Sequence, residues 1–418
     1  MRLHRYLLFF FCYFFISTLV YYLGLAEFNY FVDLRNRIIG SRLMDLGMDP
    51  YYFKWSKAWP LTLCDPIDIC NFRNNLTTSP PSLLWLIRPI ARLDYMSIGY
   101  IWVLLHYLFF LLIVLPIHQA FRDEASKTRV LAAAIILLLT PQWSETILKG
   151  QCHFILPTAM SLMIFTAAGN DRYKYFICGL LLSVAVWLRP NAILLAPFLL
   201  FYRPDKKQFF GAIALAAILL GTMEWYFHFN DWVSFYHTCS EWVKNNVADI
   251  TVIFCHGDIV TEGKSLEGST RALDYISNQS EQGNIFHLVQ SKWNYSVPPL
   301  PMLVVFICTF AVLVWFSFRY QFRNMHDALF IGYFAYWMAA LTSPILRLTY
   351  YFPEVFPIIL IFAGNYFQMN RTERYVFHTA CILLVLDLIP VNLVVAESLF
   401  IGCMLLYTWN RRERYSSS

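Results

Sequence analysis

The run from Tyr6 to Leu25 is almost wholly apolar, and runs of similar character recur along the rest of the chain. A helix needs about 20 mostly apolar residues to cross a bilayer. No stretch alternates apolar and polar side chains in the period-two manner of a strand. The pattern predicts an all-α, polytopic membrane helical bundle with spans near 6–25, 96–117, 130–141, 152–168, 176–188, 191–202, 209–226, 299–318, 328–342, 352–368, 375–389 and 394–409, about a dozen in all. Gly24 and Ala26 stand in a cleavage-like spacing after the first run. Its apolar core is longer than that of a usual signal sequence and rich in aromatics, so it reads as a retained span.

Polar positions fall mainly into short connections, but two intervals, 26–94 and 227–298, are too long for simple hairpins between spans. Within the first, Phe31, Leu34, Ile38 and Leu43 recur at helical spacing and predict an interfacial helix over 30–46, stopped by Gly47 and Pro50. A second apolar stretch, "PSLLWLIRPIARL" (81–93), is short and interrupted by Arg88 and Pro89. It reads as a helix lying along the surface or packed on the bundle. Residues 1–418 then form one integral-membrane domain with no internal repeat.

Charge adds sidedness. Basic clusters at Arg2/Arg5, Arg122/Lys127/Arg129, Arg172/Lys174, Arg203/Lys206/Lys207, Arg319/Arg323, Arg371/Arg374 and Arg411/Arg412/Arg414 mark one set of connections. By the positive-inside rule these loops and both termini are cytoplasmic, and 26–94 and 227–298 are exoplasmic. The cytoplasmic loops are too short for a nucleotide-binding unit, and no glycine-rich phosphate loop is present. Any chemistry belongs outside or in the membrane.

Composition agrees: 58% of the 418 residues are hydrophobic and 14% charged, which excludes an ordinary soluble domain. The formal net charge of +5 reports topology and calls for no nucleic acid. Of ten cysteines, Cys64 and Cys70 share the first long loop and Cys239 and Cys255 the second, so each loop can close one disulfide in an oxidising compartment. "CDPIDIC" (64–70) reads as a closed turn in preference to a metal site, and no metal-ligand spacing appears elsewhere.

Three places hold chemistry-bearing residues. Asp33 lies just beyond the first span, with Arg37 four positions on along the same helical face. A surface ion pair is the plain alternative there. "ILKGQCHF" (147–154) groups Lys149, Gln151 and His153 at membrane depth, more than helix-end snorkelling of one lysine explains. "VAVWLRPNAILL" (185–196) interrupts apolar sequence with Arg189, Pro190 and Asn191. Lys149, Arg189 and Arg347 sit against the positive-inside trend, and cations held there suit a bound anion such as a phosphate headgroup.

The order "D" after an apolar first helix, "GMDPYY" (47–52), "SPPSLLWLIRPIARL" (79–93), "KGQCHF" (149–154), "LLSVAVWLRPNAILLAPFLLFYR" (181–203) and "LTSPILRLTYYFPEVFP" (341–357) resembles the integral-membrane GT-C glycosyltransferases. Specifically, it resembles the polyprenyl-phosphate-dependent mannosyl- and arabinofuranosyltransferase-like group. The resemblance implies that Asp33 is the catalytic aspartate and that Gly150–Gln151 and Arg189–Pro190 are the family's "GQ" pair and basic-residue–proline pair. It further implies a polyprenyl-phosphate sugar donor, a glycan or glycolipid acceptor, and an active site at the exoplasmic membrane face. Substrate-contacting positions would be Arg37, Lys149, Gln151, His153, Arg189, Asn191, Arg347, Tyr350 and Tyr351, with no metal and no cofactor. The family often has histidine in the segment matching 347–351, where this chain has Arg347, Thr349, Tyr350 and Tyr351, a departure in the part that would contact donor and sugar.

The expected reaction is transfer of a sugar, mannose or a pentose favoured, with inversion. The host membrane would be a bacterial plasma membrane, or the endoplasmic reticulum in a eukaryote. A membrane carrier or flippase for a lipid-linked or anionic sugar is the competing class, since about a dozen spans also describe many carriers. The two long loops and the absence of matching halves count against it.

Overall fold

The computed structural model describes residues 2–26, 31–53, 55, 58–63, 77, 79–199, 201, 206–248, 298–320, 322, 325–342, 349–386 and 391–416. They are helical, in the order α1 (Arg2–Ala26), α2 (Val32–Asp45), α3 (Pro81–Ala91), α4 (Tyr95–Ala120), α5 (Glu124–Leu138), α6 (Pro141–Leu148), α7 (Ile155–Ala168), α8 (Lys174–Leu188), α9 (Ala196–Leu199), α10 (Lys206–Ala248), α11 (Pro299–Tyr320), α12 (Met325–Thr342), α13 (Phe356–Gly364), α14 (Arg371–Leu386) and α15 (Val391–Ser416). Short 3₁₀ segments, Pro190–Leu195 and Thr349–Val355, lead into α9 and α13.

Among the described residues, four helices are long and apolar enough to cross a membrane, or five if the bent pair α5–α6 counts as one. α7, α8 and the segments around α9, α13 and α15 are shorter apolar helices. Proline is the physical reason why several expected spans are broken. Pro141 starts α6 after Thr140 caps it, and the chain turns by 56° there. Pro190 and Pro353 sit in the 3₁₀ segments, where the missing N–H and fixed φ are tolerated. The expected span 130–141 is thus the end of α5 plus a bend, and 191–202 begins as a 3₁₀ turn.

α10 departs from expectation in the opposite direction. Its 43 residues reach about 65 Å at 1.5 Å per residue, twice the hydrocarbon thickness. The chain after Tyr226, which reads as loop in sequence, continues the same helix to Ala248.

α1 and α11 expose apolar side chains: Tyr6, Phe9, Tyr13 and Val20 on the first, Leu300, Ile307 and Trp315 on the second. Such faces suit lipid contact, since every backbone polar group is satisfied within the helix. Inside, Tyr107, Phe110, Trp143 and Phe356 are almost fully buried, and their rings meet at centroid separations of 4.9–6.3 Å.

The expected interfacial helix is α2, and Phe31, Leu34, Ile38 and Leu43 are all buried. It is therefore packed into the bundle and does not lie free on a surface. Gly47 stops it in the left-handed region at φ 68°, and the Gly47 and Met48 N–H groups close on Met44 and Leu43 carbonyls. α3 packs beside it, with Leu83, Leu84 and Ile87 buried, and Ser41 Oγ of α2 donates to Leu84 O at 2.9 Å.

Arg42 donates to the carbonyls of Ala91 (2.6 Å) and Leu93 (2.8 Å) at the open end of α3, and to that of Thr62 (2.7 Å) in the 3₁₀ turn Leu61–Leu63. Asp45 pairs with Arg88 and Arg92. Burial would raise its carboxyl pKa, but the hydrogen bonds from Arg92 and Arg88 outweigh that and hold it below the usual carboxylate range.

α2 and α6 meet closely at one point. Gly150, at φ +72°, ends α6, and a Cβ there would lie 2.6 Å from Leu34 Cβ and 3.0 Å from the Leu34 backbone nitrogen. Gly47 has a similar φ but open space around it. Gly47→Ala should cost the left-handed strain alone, about 1–2 kcal/mol. Gly150→Ala should cost about 2–4 kcal/mol, because α2 must also move. Thermal unfolding of the two purified variants in one detergent tests the ordering, and equal losses would refute the close approach.

Candidate active site at the junction of helices α2 and α6

A helix start carries N–H groups without intrahelical acceptors, and a helix end carries carbonyls without donors. Here the two needs meet. Phe31, in the left-handed region at φ 67°, donates its N–H to Leu148 O at 2.7 Å, and Asp33 N–H donates to Lys149 O at 3.1 Å. The first turn of α2 therefore sits on the last turn of α6, and Asp33 arrives beside "KGQCHF".

Gln151 joins the two. Its Nε2 donates to Asp33 Oδ2, while its Oε1 accepts from Arg37 Nη2 at 3.0 Å. Arg37 also donates to Gly150 O at 2.5 Å and to Ser79 Oγ at 2.8 Å. The expected Asp33–Arg37 relation exists, but as a bridge through Gln151. Burial raises the Asp33 carboxyl pKa above its ordinary value, opposed in part by the charges of Arg37, Lys149 and Arg35. The result is a carboxylate of increased basicity in a cationic surround.

Two residues further along the same turn a second group forms. His153 Nδ1 lies 2.5 Å from Arg189 Nη1 and 2.9 Å from Glu354 Oε1. Arg189 Nη2 pairs with the same Glu354 oxygen, and its Nε donates to Tyr336 Oη at 3.0 Å. Tyr351 packs at a tilt against His153 with ring centroids 3.9 Å apart, and its ring centroid lies 5.5 Å from the Arg189 guanidinium. A guanidinium has only donors, so the Arg189 contact needs an unprotonated Nδ1 and the Glu354 contact a protonated one. The proton at that atom decides which partner His153 keeps.

Cys152 links the groups. It lies between Gln151 and His153 in the chain, and its side chain is buried.

The structure thus brings together Asp33, Arg37, Lys149, Gln151, His153, Arg189 and Tyr351. Asn191 sits exposed on the 3₁₀ turn after Arg189. Arg347 and the Tyr350 side chain lie outside the described residues, as do Cys64, Cys70 and Cys255; Cys239 is a free thiol on α10. Among the described residues no three His, Cys, Asp or Glu side chains are grouped to hold a metal ion.

Sequence reasoning missed Glu354, Tyr336 and Ser79. Glu354 had a signal, an acid inside the apolar, proline-flanked "YYFPEVFP". Tyr336 and Ser79 had none.

Comparison with curated proteins finds no match. Among solved structures, the chain is similar to the archaeal oligosaccharyltransferase AglB from Archaeoglobus fulgidus, in complex with an inhibitory peptide and a dolichol-phosphate. The identity is 14% and the TM-score 0.35, over 93% of this chain and 56% of that one, so this chain spans little more than half of AglB's length. The model of Glycosyltransferase family 87 matches residues 78–344. That segment contains Lys149, Gln151, His153 and Arg189 and leaves Asp33 and Glu354 outside. The match decides for a transferase over a carrier and bears out the GT-C resemblance. Because it covers more than half of the sequence, the chain belongs to glycosyltransferase family 87.

Proposed function

We propose that this membrane glycosyltransferase moves a sugar, mannose or a pentose, from a polyprenyl-phosphate donor to a hydroxyl of a glycan or glycolipid acceptor on the exoplasmic face. Asp33 acts as general base, and the anomeric centre inverts. The observation that carries this reading is the Asp33 carboxylate, oriented by Gln151 and ringed by Arg35, Arg37 and Lys149. A hydroxyl is a poor nucleophile, and a positioned carboxylate removes its proton as it attacks the anomeric carbon. The bond to the lipid phosphate breaks as the new glycosidic bond forms, and the phosphate leaves with the electron pair. Nearby cations stabilise its charge. One carboxylate suffices for such a displacement, and no metal is required by it.

Lys149 is the cation we assign to the donor phosphate, since it stands at the end of α6 beside Asp33. Arg189 stands behind, its charge engaged by Glu354, and supports the site through His153 and Tyr351.

Asp33→Asn should lower kcat by about 10²–10⁴ while donor binding persists. Transfer at the wild-type rate by purified Asp33→Asn protein would end the assignment.

The base works only when ionised. Because the Asp33 pKa is raised, wild-type kcat should fall on the acid side at a pH above the ordinary carboxylate value of about 3.9. In Lys149→Gln, which loses a pKa-lowering charge, that limb should move to higher pH, and donor KM should rise about tenfold or more. An acid limb unmoved by this substitution would place the titrating group elsewhere.

Arg189→Ala should destabilise by about 3–5 kcal/mol because it strands a buried carboxylate. The double variant Arg189→Ala/Glu354→Gln should recover part of that loss in thermal unfolding. No recovery would argue that Arg189 serves something other than Glu354.

A further inference from the structure

An apolar groove of about 450 Å³ runs between α8 and α10, walled by Leu182, Val186, Ile213, Ala217 and Leu220. At one end stands Glu224, which also lines it and is 8% exposed. Its Oε1 accepts from Trp187 Nε1 at 2.5 Å and its Oε2 from Trp232 Nε1 at 2.7 Å. Both donors are neutral, and no cation pairs with Glu224 among the described residues. Asp231 is its electrostatic neighbour, Asp49 is in turn a neighbour of Asp231, and all three carboxyls act on the Tyr51 hydroxyl. Asp231 itself engages His228 Nδ1 at 3.3 Å, and Ser234 Oγ donates to Asp49 at 2.6 Å.

This end of the groove is tied to the Asp33 site by named contacts. Ser82 Oγ donates to Trp187 O at 2.5 Å, two residues before Arg189. Trp85 packs edge-on against Trp187 and His228. Tyr51 Oη donates to the carbonyl of Ser79, whose hydroxyl accepts from Arg37.

The two sides of this junction differ in sign. Cations gather around Asp33, and carboxylates gather around Glu224. A phosphate-bearing lipid seated in the groove would bring its anion to Glu224, whose partners are two neutral indole N–H groups, so no cation there among the described residues compensates a phosphate. A neutral, hydroxyl-rich head would find acceptors in the carboxylates and flat apolar faces in Trp85, Trp187 and Trp232. Resting on the function proposed above, we infer that the α8–α10 groove holds the tail of a neutral glycolipid acceptor. Its sugar lies at Glu224, and the anionic donor enters from the Asp33–Lys149 side.

The test uses full-length protein in phosphatidylcholine nanodiscs and three lipids carrying a diazirine in the tail: glucosyl diacylglycerol, a polyprenyl phosphate and phosphatidylcholine. Crosslinked peptides are mapped by mass spectrometry. The glucosyl lipid should label the peptides around Leu182–Trp187 and Leu220–Trp232 at least fivefold more than either other probe. Gly221 lines the groove with open space where a side chain would grow, so Gly221→Leu should abolish that labelling without unfolding the protein. Glu224→Gln, which keeps the shape and removes the charge, should raise labelling by the polyprenyl phosphate.

Equal labelling by all three probes, meaning a general lipid surface only, would overturn the assignment. So would preference for the polyprenyl phosphate, or labelling indifferent to Gly221→Leu. Labelling of α2 and residues 149–153 by the polyprenyl phosphate is read in the same experiment. Its loss would count against the donor side of the proposed function, whatever the groove does.

Discussion

Everything at the candidate site depends on one docking event, the first turn of α2 seated on the last turn of α6. Each end brings backbone groups that its own helix cannot satisfy, and the Phe31 and Asp33 N–H groups close on the Leu148 and Lys149 carbonyls. Two left-handed residues make the fit, Phe31 on one side and Gly150 on the other. A non-glycine residue with positive φ carries strain, so Phe31 holds its conformation because its buried ring and backbone bond require it. Asp33 inherits its position from this contact, and Gln151 sets the direction of its carboxylate.

The second group answers a different problem, the burial of charge. Glu354 is fully buried and Arg189 nearly so, and separating either from water is expensive unless the partner is well placed. Arg189 meets that demand with three neighbours at once: Glu354, Tyr336 and His153. A guanidinium so occupied is a framework element first. The anion role proposed for Lys149 rests on its place at the end of α6 beside Asp33, and the pairing of Arg189 with Glu354 gives that arginine a separate structural task.

Much of this was legible in the sequence wherever periodicity and chain-breaking residues spoke together. The four apolar positions of α2, the stop at Gly47, the short amphipathic α3 and the grouping of Lys149, Gln151 and His153 all follow from spacing and membrane depth. What failed to show was pairing across long separations. Nothing in "SPPSLLW" says that Ser79 will meet Arg37, and nothing near Arg189 points to an acid 165 positions later, at Glu354. Hydropathy also misjudged lengths. The helical propensity of α10 outlasts its apolar run, so the helix continues past the bilayer thickness, while prolines cut other apolar runs short of it.

The chemistry of Asp33 follows from two opposed effects of similar reach. Burial raises its pKa and favours the protonated form, whereas the positive charges nearby lower it and weaken the base. In the structure Arg37 donates to Gly150, Gln151 and Ser79, the amide of Gln151 passes the hydrogen bonding on to Asp33, and the charges of Arg37, Lys149 and Arg35 oppose burial in part. An amide relays orientation without a full counter-charge. Glutamate at 151 would repel Asp33 and bind Arg37 directly, and lysine would neutralise the base, so the "GQ" pair is one of few choices that aim a carboxylate and keep it basic.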